Sequence, residues 1–231
     1  MMSAADSATP LGAPVDPSPA RRPERVTLDG ADVTLAPLDA AHADALYDGS
    51  HGDGRESVWA YMGDGPYEDR AAFRLAVEAK ARSSDPLFFA IIDNASGRAV
   101  GYQTLMRIDA VNRVIETGNI LMTPALQRTR GATEAHYLFA RYVFDELGYR
   151  RYEWKCNDLN APSRRAALRL GFAFEGIFRQ HMIIRGRNRD TAWYAMLDAD
   201  WPARKAAFER WLAPENFDAR GRQRSALVSF H

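Results

Sequence analysis

Residues 119–135, with the sequence NILMTPALQRTRGATEA, contain the change from an apolar strand to an amphipathic helix. The strand is predicted from residue 111 to residue 122 and stops before Pro124, and the helix is predicted over 132–147. Gly148 then ends the helix, and a further strand is predicted over 151–156. A strand, helix and strand in this order require a local parallel pair in a sheet.

The rest of the chain adds antiparallel strands and more helices on both sides of this unit. The predicted helices are 40–47, 68–82, 132–147, 160–171 and 202–212, and the predicted strands are 25–28, 33–35, 87–92, 99–108, 111–122, 151–156, 172–184 and 191–197. The turn dipeptide Asp29-Gly30 joins the first two strands as a hairpin. The expected fold class is therefore α/β (α+β), with a mixed, mostly antiparallel central sheet flanked by helices.

Length and composition fit one domain with tails. The chain has 231 residues, of which 46% are hydrophobic, so a full core can form without disulfides or metals. Residues 1–24 are rich in Ala, Pro, Ser and Asp and are predicted to be a disordered N-terminal tail. Residues 25–213 are the predicted domain, and 214–231 are a polar C-terminal tail.

Charge and cysteine content argue against several classes of function. The 30 Lys and Arg residues balance the 30 Asp and Glu residues, so no nucleic-acid partner is expected. The Arg-rich stretch 185–189 is the best candidate for such binding, but it falls at a predicted hairpin tip, where charges are usually solvated. Cys156 is the single cysteine and is expected to be an inert buried thiol. The sequence contains no run of about 18 apolar residues, which a transmembrane helix would need, and no signal peptide. No membrane partner is therefore expected, and the cytoplasm is the expected location.

Two segments carry a resemblance to a known family. Residues 160–172, NAPSRRAALRLGF, resemble the N-x-x-S/A-x(7)-G-F signature of the GNAT acyltransferases, and the loop 127–132 is similar to their acyl-CoA loop, Q/R-x-x-G-x-G/A. The pattern is most similar to the RimJ/RimL-like branch. The resemblance implies the GNAT fold and an acetyl-CoA-dependent N-acetyltransferase without a metal. The acceptor would be a primary amine, either a protein N-terminus or a small-molecule or aminoacyl amine. Relatives are often homodimers.

The start of the helix after Pro124 suits a diphosphate. Its first amide N–H groups lack intrahelical partners and its dipole favours anions, while small residues let the backbone come close. Arg130 departs from the family pattern because it replaces the usual first glycine, so the loop is expected to turn differently, using Gly131; Arg128 and Arg130 add positive charge that favours phosphate. The residues expected to bind the cofactor are Leu121, Met122, Gln127, Arg128, Thr129, Arg130, Gly131, Ala132, Thr133, Asn160, Ser163 and Arg165.

Catalysis of amide formation needs a base for the amine and a proton for the leaving thiolate. Many GNAT enzymes use a tyrosine as the acid, but Ala167 occupies that position here. By resemblance Ser163 is the candidate acid or hydrogen-bond donor to the thiolate; the structural alternative is a serine in the first turn of a helix, capped by Asn160, that makes only local hydrogen bonds. Glu116 is the first candidate base and Asp190 the second. Glu175 is a third candidate, in a sequence pattern common among the related proteins. For each of the three, an exposed or salt-bridged carboxylate is the structural alternative. The Met122 N–H is the expected oxyanion donor.

The residues expected to contact the acceptor are Trp59, Tyr61, Tyr102, His181 and Trp193. Trp59 and Tyr61 lie in a Gly-rich stretch, 49–66, which is typical of a functional loop, although core packing is the more frequent role of any one aromatic residue. The missing tyrosine and Arg130 also favour a second hypothesis, in which the protein is a non-catalytic acyl-CoA-binding sensor of the same fold.

Overall fold

A computed structural model of the protein describes residues 11–52 and 54–230. One eight-stranded sheet runs through it in the order β1-β2-β3-β4-β5-β6-β8-β7. The strands are β1 Leu28–Asp29, β2 Val33–Pro37, β3 Leu87–Asp93, β4 Arg98–Asp109, β5 Val114–Met122, β6 Arg151–Asn157, β7 Ala173–Ile184 and β8 Arg187–Leu197. The helices are α1 Ala43–Ser50, α2 Arg70–Arg82, α3 Arg130–Arg141, α4 Ala161–Arg169 and α5 Trp201–Leu212. All neighbouring strands are antiparallel except β5 and β6, which confirms the predicted fold class.

Side-chain oxygens begin the helices where the sequence places capping residues. Asp69 accepts a hydrogen bond from the Ala72 N–H at the start of α2, and Thr129 accepts one from the Ala132 N–H at the start of α3. Asp39 caps the turn Ala40–His42 that leads into α1, as expected. α3 continues as a π-helical turn, Tyr142–Glu146, before Gly148 adopts a φ of 78°.

The two faces of the sheet carry separate cores. Phe88 and Phe89 are adjacent on β3 and point to opposite faces, so they belong to different apolar clusters. Phe89 packs on Phe139 of α3, and this cluster also includes α4 and α5. Phe88 packs on Tyr102 in the cluster formed with α1 and α2. We call the face under α1 and α2 the acceptor face.

The parallel pair β5 and β6 separates halfway along its length. Pairing runs from Val114 with Arg151 to Thr117 with Trp154, and then stops, although β5 continues to Met122 and β6 to Asn157. The end of β6 stays paired with β8 on its other side. The sheet therefore contains a V-shaped opening, which we call the notch, between residues 118–122 and 155–157.

The segments outside the predicted domain contact it where the structure describes them. Ala20 is buried and its N–H donates to the Ala110 carbonyl, while Leu227 of the C-terminal segment is fully buried in the α5 core. Residues 1–10 of the predicted N-terminal tail lie outside the described residues. The boundaries at 25 and 213 therefore stay predictions.

The last hairpin is tighter than its sequence suggests. β8 begins at Arg187 instead of residue 191, so the turn consists of Arg185 and Gly186 alone. Both residues have positive φ, 51° and 70°. Such two-residue turns match the twist of the strands that they join.

Candidate active site

The notch exposes a strand edge that is ready to pair. Because β5 loses its neighbour after Thr117, the backbone groups of 118–122 that point toward β6 have no strand partner among the described residues. A bulge at this point, where the pairing shifts between Tyr102 and Thr104, gives Asn119 a φ of 45°. An extended ligand can form strand-like hydrogen bonds along this edge.

The loop after β5 turns at Arg128 instead of Gly131. Arg128 has a φ of 64°, whereas Gly131 lies in the first turn of α3 without positive φ. A Cβ on Gly131 would lie 2.7 Å from Val33 Cγ1, so a small residue is needed there for close packing against β2. The expectation that Gly131 makes the turn is therefore wrong. The first turn of α3 also borders a cavity of about 640 Å³.

Arg130 is held in an ion pair, in contrast to the expectation that its charge is free for phosphate. Its Nε and Nη2 lie 2.5 and 2.8 Å from the Asp32 carboxylate, and its guanidinium lies 5.2 Å from the Phe217 ring centroid. Nearby, the buried Glu134 accepts hydrogen bonds from the N–H groups of Ala31, Asp32 and Val33. Both contacts fix α3 against the turn between β1 and β2.

The other residues expected to bind the cofactor divide into two groups. Arg128 and Arg165 are exposed, and neither side chain makes a hydrogen bond within the described residues, whereas Thr133 is buried and accepts a hydrogen bond from Arg169. Gln127 donates to the Met122 carbonyl at 2.9 Å and so fixes the exit from β5. The Leu121 side chain is buried in the core of the acceptor face, which leaves its backbone for a ligand.

On the opposite side of the notch, Asn160 and Ser163 start α4. Asn160 Oδ1 accepts from the Ser163 N–H at 3.1 Å, which is the predicted cap. Ser163 Oγ accepts a hydrogen bond from Trp154 Nε1 at 3.0 Å, and the same hydroxyl can donate to the sulfur of Cys156. Burial raises the pKa of the neighbouring Cys156 thiol, as an inert thiol requires. Ala167 is fully buried.

Glu116 lies in a buried ion-pair network on the acceptor face. Its Oε2 lies 2.9 Å from Lys155 Nζ and 2.9 Å from Arg107 Nη1, and the side chains of Glu116 and Lys155 are only 5% and 4% exposed. Lys155 also contacts Glu153, and its Nζ lies 3.8 Å from the Trp193 ring centroid. Glu116 Oε1 makes no hydrogen bond within the described residues, in contrast to Oε2.

The second candidate base, Asp190, has a role in the hairpin. Its Oδ1 accepts hydrogen bonds from the Gln180 N–H at 2.7 Å and from Asn188 Nδ2 at 2.9 Å. These bonds lower the pKa of Asp190 and hold the bulge at which Gln180 has a φ of 52°. Glu175 forms an ion pair with Arg151. Neither carboxylate is brought next to Glu116.

The five expected acceptor residues all contribute to the acceptor face, but in different ways. Trp59 and Tyr102 are fully buried, and the Tyr102 hydroxyl has no partner in the described structure. His181 and Trp193 lie on the β7–β8 hairpin, with ring centroids 6.0 Å apart. Tyr61 donates to the Leu159 carbonyl next to α4.

The Gly-rich loop passes over this face. Tyr61 connects it to the β6–α4 loop, and Arg185 at the hairpin tip donates to the Asp64 carbonyl. The loop therefore bridges from α1 to elements beyond the notch.

Sequence reasoning did not identify four residues of this site: Arg107, Trp154, Lys155 and Arg189. The alternation of Arg151, Glu153 and Lys155 along β6 was the available signal, because a strand with one polar face places alternate charges together. Among the described residues, no helix has the length and apolar character needed to cross a bilayer, and no His, Cys, Asp or Glu side chains cluster as a metal site would require.

A mixed sheet with a split parallel pair and a helix start at its rim is the fold of an acetyltransferase domain. The chain belongs to the acetyltransferase (GNAT) domain family, whose profile matches residues 32–173. The sequence is also similar to a protein of Bacillus subtilis (strain 168) named "Putative ribosomal N-acetyltransferase YdaF", with 28% identity over 109 residues, in line with the RimJ/RimL-like branch. That match covers 47% of this chain and 59% of the relative.

Solved structures agree over most of the chain. A GCN5-related N-acetyltransferase from Brucella melitensis is 52% identical, with a TM-score of 0.90, and the match covers 92% of this chain and 97% of that one. An acetyltransferase of the GNAT family from Chromobacterium violaceum ATCC 12472, described as probable, is 38% identical, with a TM-score of 0.76 and coverages of 87% and 100%.

Proposed function

We propose that the protein transfers the acetyl group of acetyl-CoA to a primary amine. The observation that carries this proposal is the notch: one strand edge is left unpaired beside a helix start, with Glu116 in the last paired stretch of β5 before it and Ser163 in α4, which follows β6. Acetyl-CoA supplies a thioester, whose carbonyl carbon is already reactive toward an amine.

The proposed roles follow from where the side chains lie. The loop before α3 and its first turn, from Gln127 to Thr133, accept the diphosphate through backbone N–H groups. Arg128 and Arg165 supply positive charge, since neither forms an ion pair with a carboxylate within the described residues. The edge at Leu121 and Met122 pairs with the pantetheine arm, and the Asn160 amide contacts it from α4. A Met122 N–H stabilises the oxyanion.

The amine nitrogen attacks the thioester carbon, a C–N bond forms and the C–S bond breaks. We assign Glu116 Oε1 as the acceptor of the amine proton, directly or through a water molecule, and the Ser163 hydroxyl as the hydrogen-bond donor to the departing thiolate. Ser163 keeps its proton, and the proton that Glu116 takes passes through solvent to the thiolate, which leaves as the CoA thiol. Asp190 is not carried into this mechanism because its pKa is lowered by two hydrogen bonds to Oδ1, which hold the hairpin bulge. A homodimer in the cytoplasm is the expected setting by resemblance.

The proposal is tested by thiol release from acetyl-CoA with a panel of amines, together with calorimetry of CoA binding. Turnover that depends on both substrates is expected. Tight CoA binding without thiol release for any amine would instead favour the sensor hypothesis. No affinity for CoA or acetyl-CoA would reject both.

A further inference from the structure

Arg189 on β8 is a half-buried cation with no carboxylate within salt-bridge distance among the described residues. Its Nε donates to Thr191 Oγ1 at 3.2 Å. Its two terminal nitrogens make no hydrogen bond to any residue that the structure describes. Burial lowers the pKa of Arg189, and the Cys156 thiol and the Glu116 carboxylate offset this effect only in part. Such a cation costs stability unless an anion is bound.

The neighbouring charges do not supply that anion, because they already balance one another. Three cations and three carboxylates alternate through the network: Arg107, Glu116, Lys155, Glu153, Arg151 and Glu175. The network is therefore neutral as a whole. Arg189 adds one uncompensated positive charge beside it.

The position of Arg189 connects it to the proposed reaction centre. Arg189, Thr191 and Trp193 alternate along β8 and so point to the same face. Thr191 Oγ1 lies 3.0 Å from His181 Nδ1, and the Trp193 ring lies over Lys155, which holds Glu116. A continuous row of side chains thus runs from Arg189 to the carboxylate assigned as the base.

Two more donors on this face lack partners. The Tyr102 hydroxyl and Trp193 Nε1 are buried and make no hydrogen bond in the described structure. Buried donors without partners are uncommon in folded proteins and are often satisfied by a ligand or an ordered water. Trp193 lies on the same face of β8 as Arg189, whereas Tyr102 lies on β4, beyond β6 and β5, so only the Trp193 donor belongs to the row of side chains that contains Arg189.

We propose that Arg189 binds an anionic group of the amine acceptor, a carboxylate or a phosphate, separated from the amine by a spacer that follows β8. The inference rests on the proposed function and narrows its acceptor class. Arg189 then determines specificity, through a charge-assisted hydrogen bond made in the bound complex. Acceptors that carry only a neutral group at that position lose this bond.

The test uses ω-amino carboxylates of increasing chain length, each compared with its primary amide, and ω-aminoalkyl phosphates compared with the amino alcohols. Thiol release gives kcat and KM for the full-length protein and for Arg189→Gln, Arg189→Lys and Arg187→Gln. Arg187 is an exposed arginine of the same hairpin and is the matched control. The thermal midpoint of each variant confirms that it is folded.

At the optimal length, the protein should prefer the anionic acceptor to its neutral partner by about tenfold or more. R189Q should raise KM for the anion by a similar factor and leave KM for the neutral acceptor and Kd for CoA unchanged, with partial recovery in R189K. Whether carboxylates or phosphates show the preference identifies the anion. Equal use of neutral and anionic acceptors at every length, or equal effects of R189Q and R187Q, would overturn the proposal.

A binding measurement separates this failure from failure of the proposed function. The same carboxylates and amides are titrated by calorimetry into protein saturated with CoA. If CoA binds but the carboxylates bind no better than the amides, the Arg189 assignment fails alone. If CoA itself does not bind, the acetyltransferase proposal fails.

Discussion

Glu116 Oε2 and Lys155 Nζ lie 2.9 Å apart on neighbouring strands, with both side chains almost completely buried. Lys155 is also shared with Glu153, at 2.6 Å. Buried charges are tolerated when each has a partner, and removal of one partner leaves the other uncompensated. The proposed base, Glu116, therefore also contributes to the stability of the sheet beside the notch.

Lys155→Met should lower the free energy of unfolding by about 3–5 kcal/mol, because two carboxylates then lose their buried cation. Lys205→Met is the control, since Lys205 forms an ion pair with Asp145 that is about a third exposed, and it should cost at most about 1 kcal/mol. Urea unfolding followed by circular dichroism measures both. Equal costs would show that burial of the Glu116–Lys155 pair is not what stabilises this region.

Glu116→Gln should reduce kcat by about 10²–10⁴-fold, because the amide has the same shape but cannot take the amine proton. Asp190→Asn should stay within about threefold of the wild type, since that carboxylate accepts hydrogen bonds on the hairpin. Steady-state thiol release with saturating acetyl-CoA is the measurement. A larger loss in D190N than in E116Q would reverse the two assignments.

Ser163→Ala should lower kcat by about tenfold or more while the Kd for CoA changes little, because the hydroxyl is assigned to the departing thiolate. Trp154→Phe is the companion variant, since it removes the indole N–H that donates to Ser163 Oγ while an aromatic ring remains at this buried position. A smaller loss of kcat is expected there. If S163A weakens CoA binding and kcat in parallel, or changes neither, Ser163 is only a helix residue.

The sequence predicted the fold because local signals agreed with the final topology. Pro124 correctly marked the end of β5, and Gly148 marked the end of the helical segment that follows. The notch could not be predicted from local signals of this kind. It depends on where β5 and β6 part, at Thr117 and Trp154, and this is decided by packing between distant segments.

The errors at the start of α3 have the same origin. Arg130 was expected to face phosphate because its neighbours in sequence suggest a basic loop, but Asp32, 98 residues away along the chain, binds it. Gly131 was expected to turn the chain, but its small size is required by Val33. Long-range contacts of this kind leave no local pattern.

Gly131→Ala should destabilise the protein by about 1–3 kcal/mol and weaken CoA binding, because the added methyl group forces α3 away from Val33. Val33→Ala in the same chain should remove the clash, so the double variant should lose less than the sum of the single losses. Gly12→Ala, which meets no atom within 4 Å, is the control. Strict additivity of the G131A and V33A costs would contradict the close contact.

His136 of α3 should make the protein less stable in acid. The side chain is buried, with its ring 5.2 Å from that of Trp154, and desolvation lowers its pKa from 6.5 to about 3, with Arg169 as a lesser cause. In the unfolded chain this histidine is protonated below pH 6.5, whereas in the folded protein it stays neutral down to about pH 3. The free energy of unfolding therefore decreases as the pH falls from 6.5 toward 3.

At pH 5 the penalty amounts to about 2 kcal/mol relative to pH 7, at about 1.4 kcal/mol for each unit of pH below 6.5. His136→Phe keeps an aromatic ring beside Trp154 but cannot titrate, so the difference in unfolding free energy between this variant and the wild type should shift by that amount from pH 7 to pH 5. Other titrating groups are common to both proteins and cancel in the difference. Chemical denaturation at the two pH values measures it, and a difference that does not change with pH would mean that His136 is protonated equally well in the folded and unfolded chains.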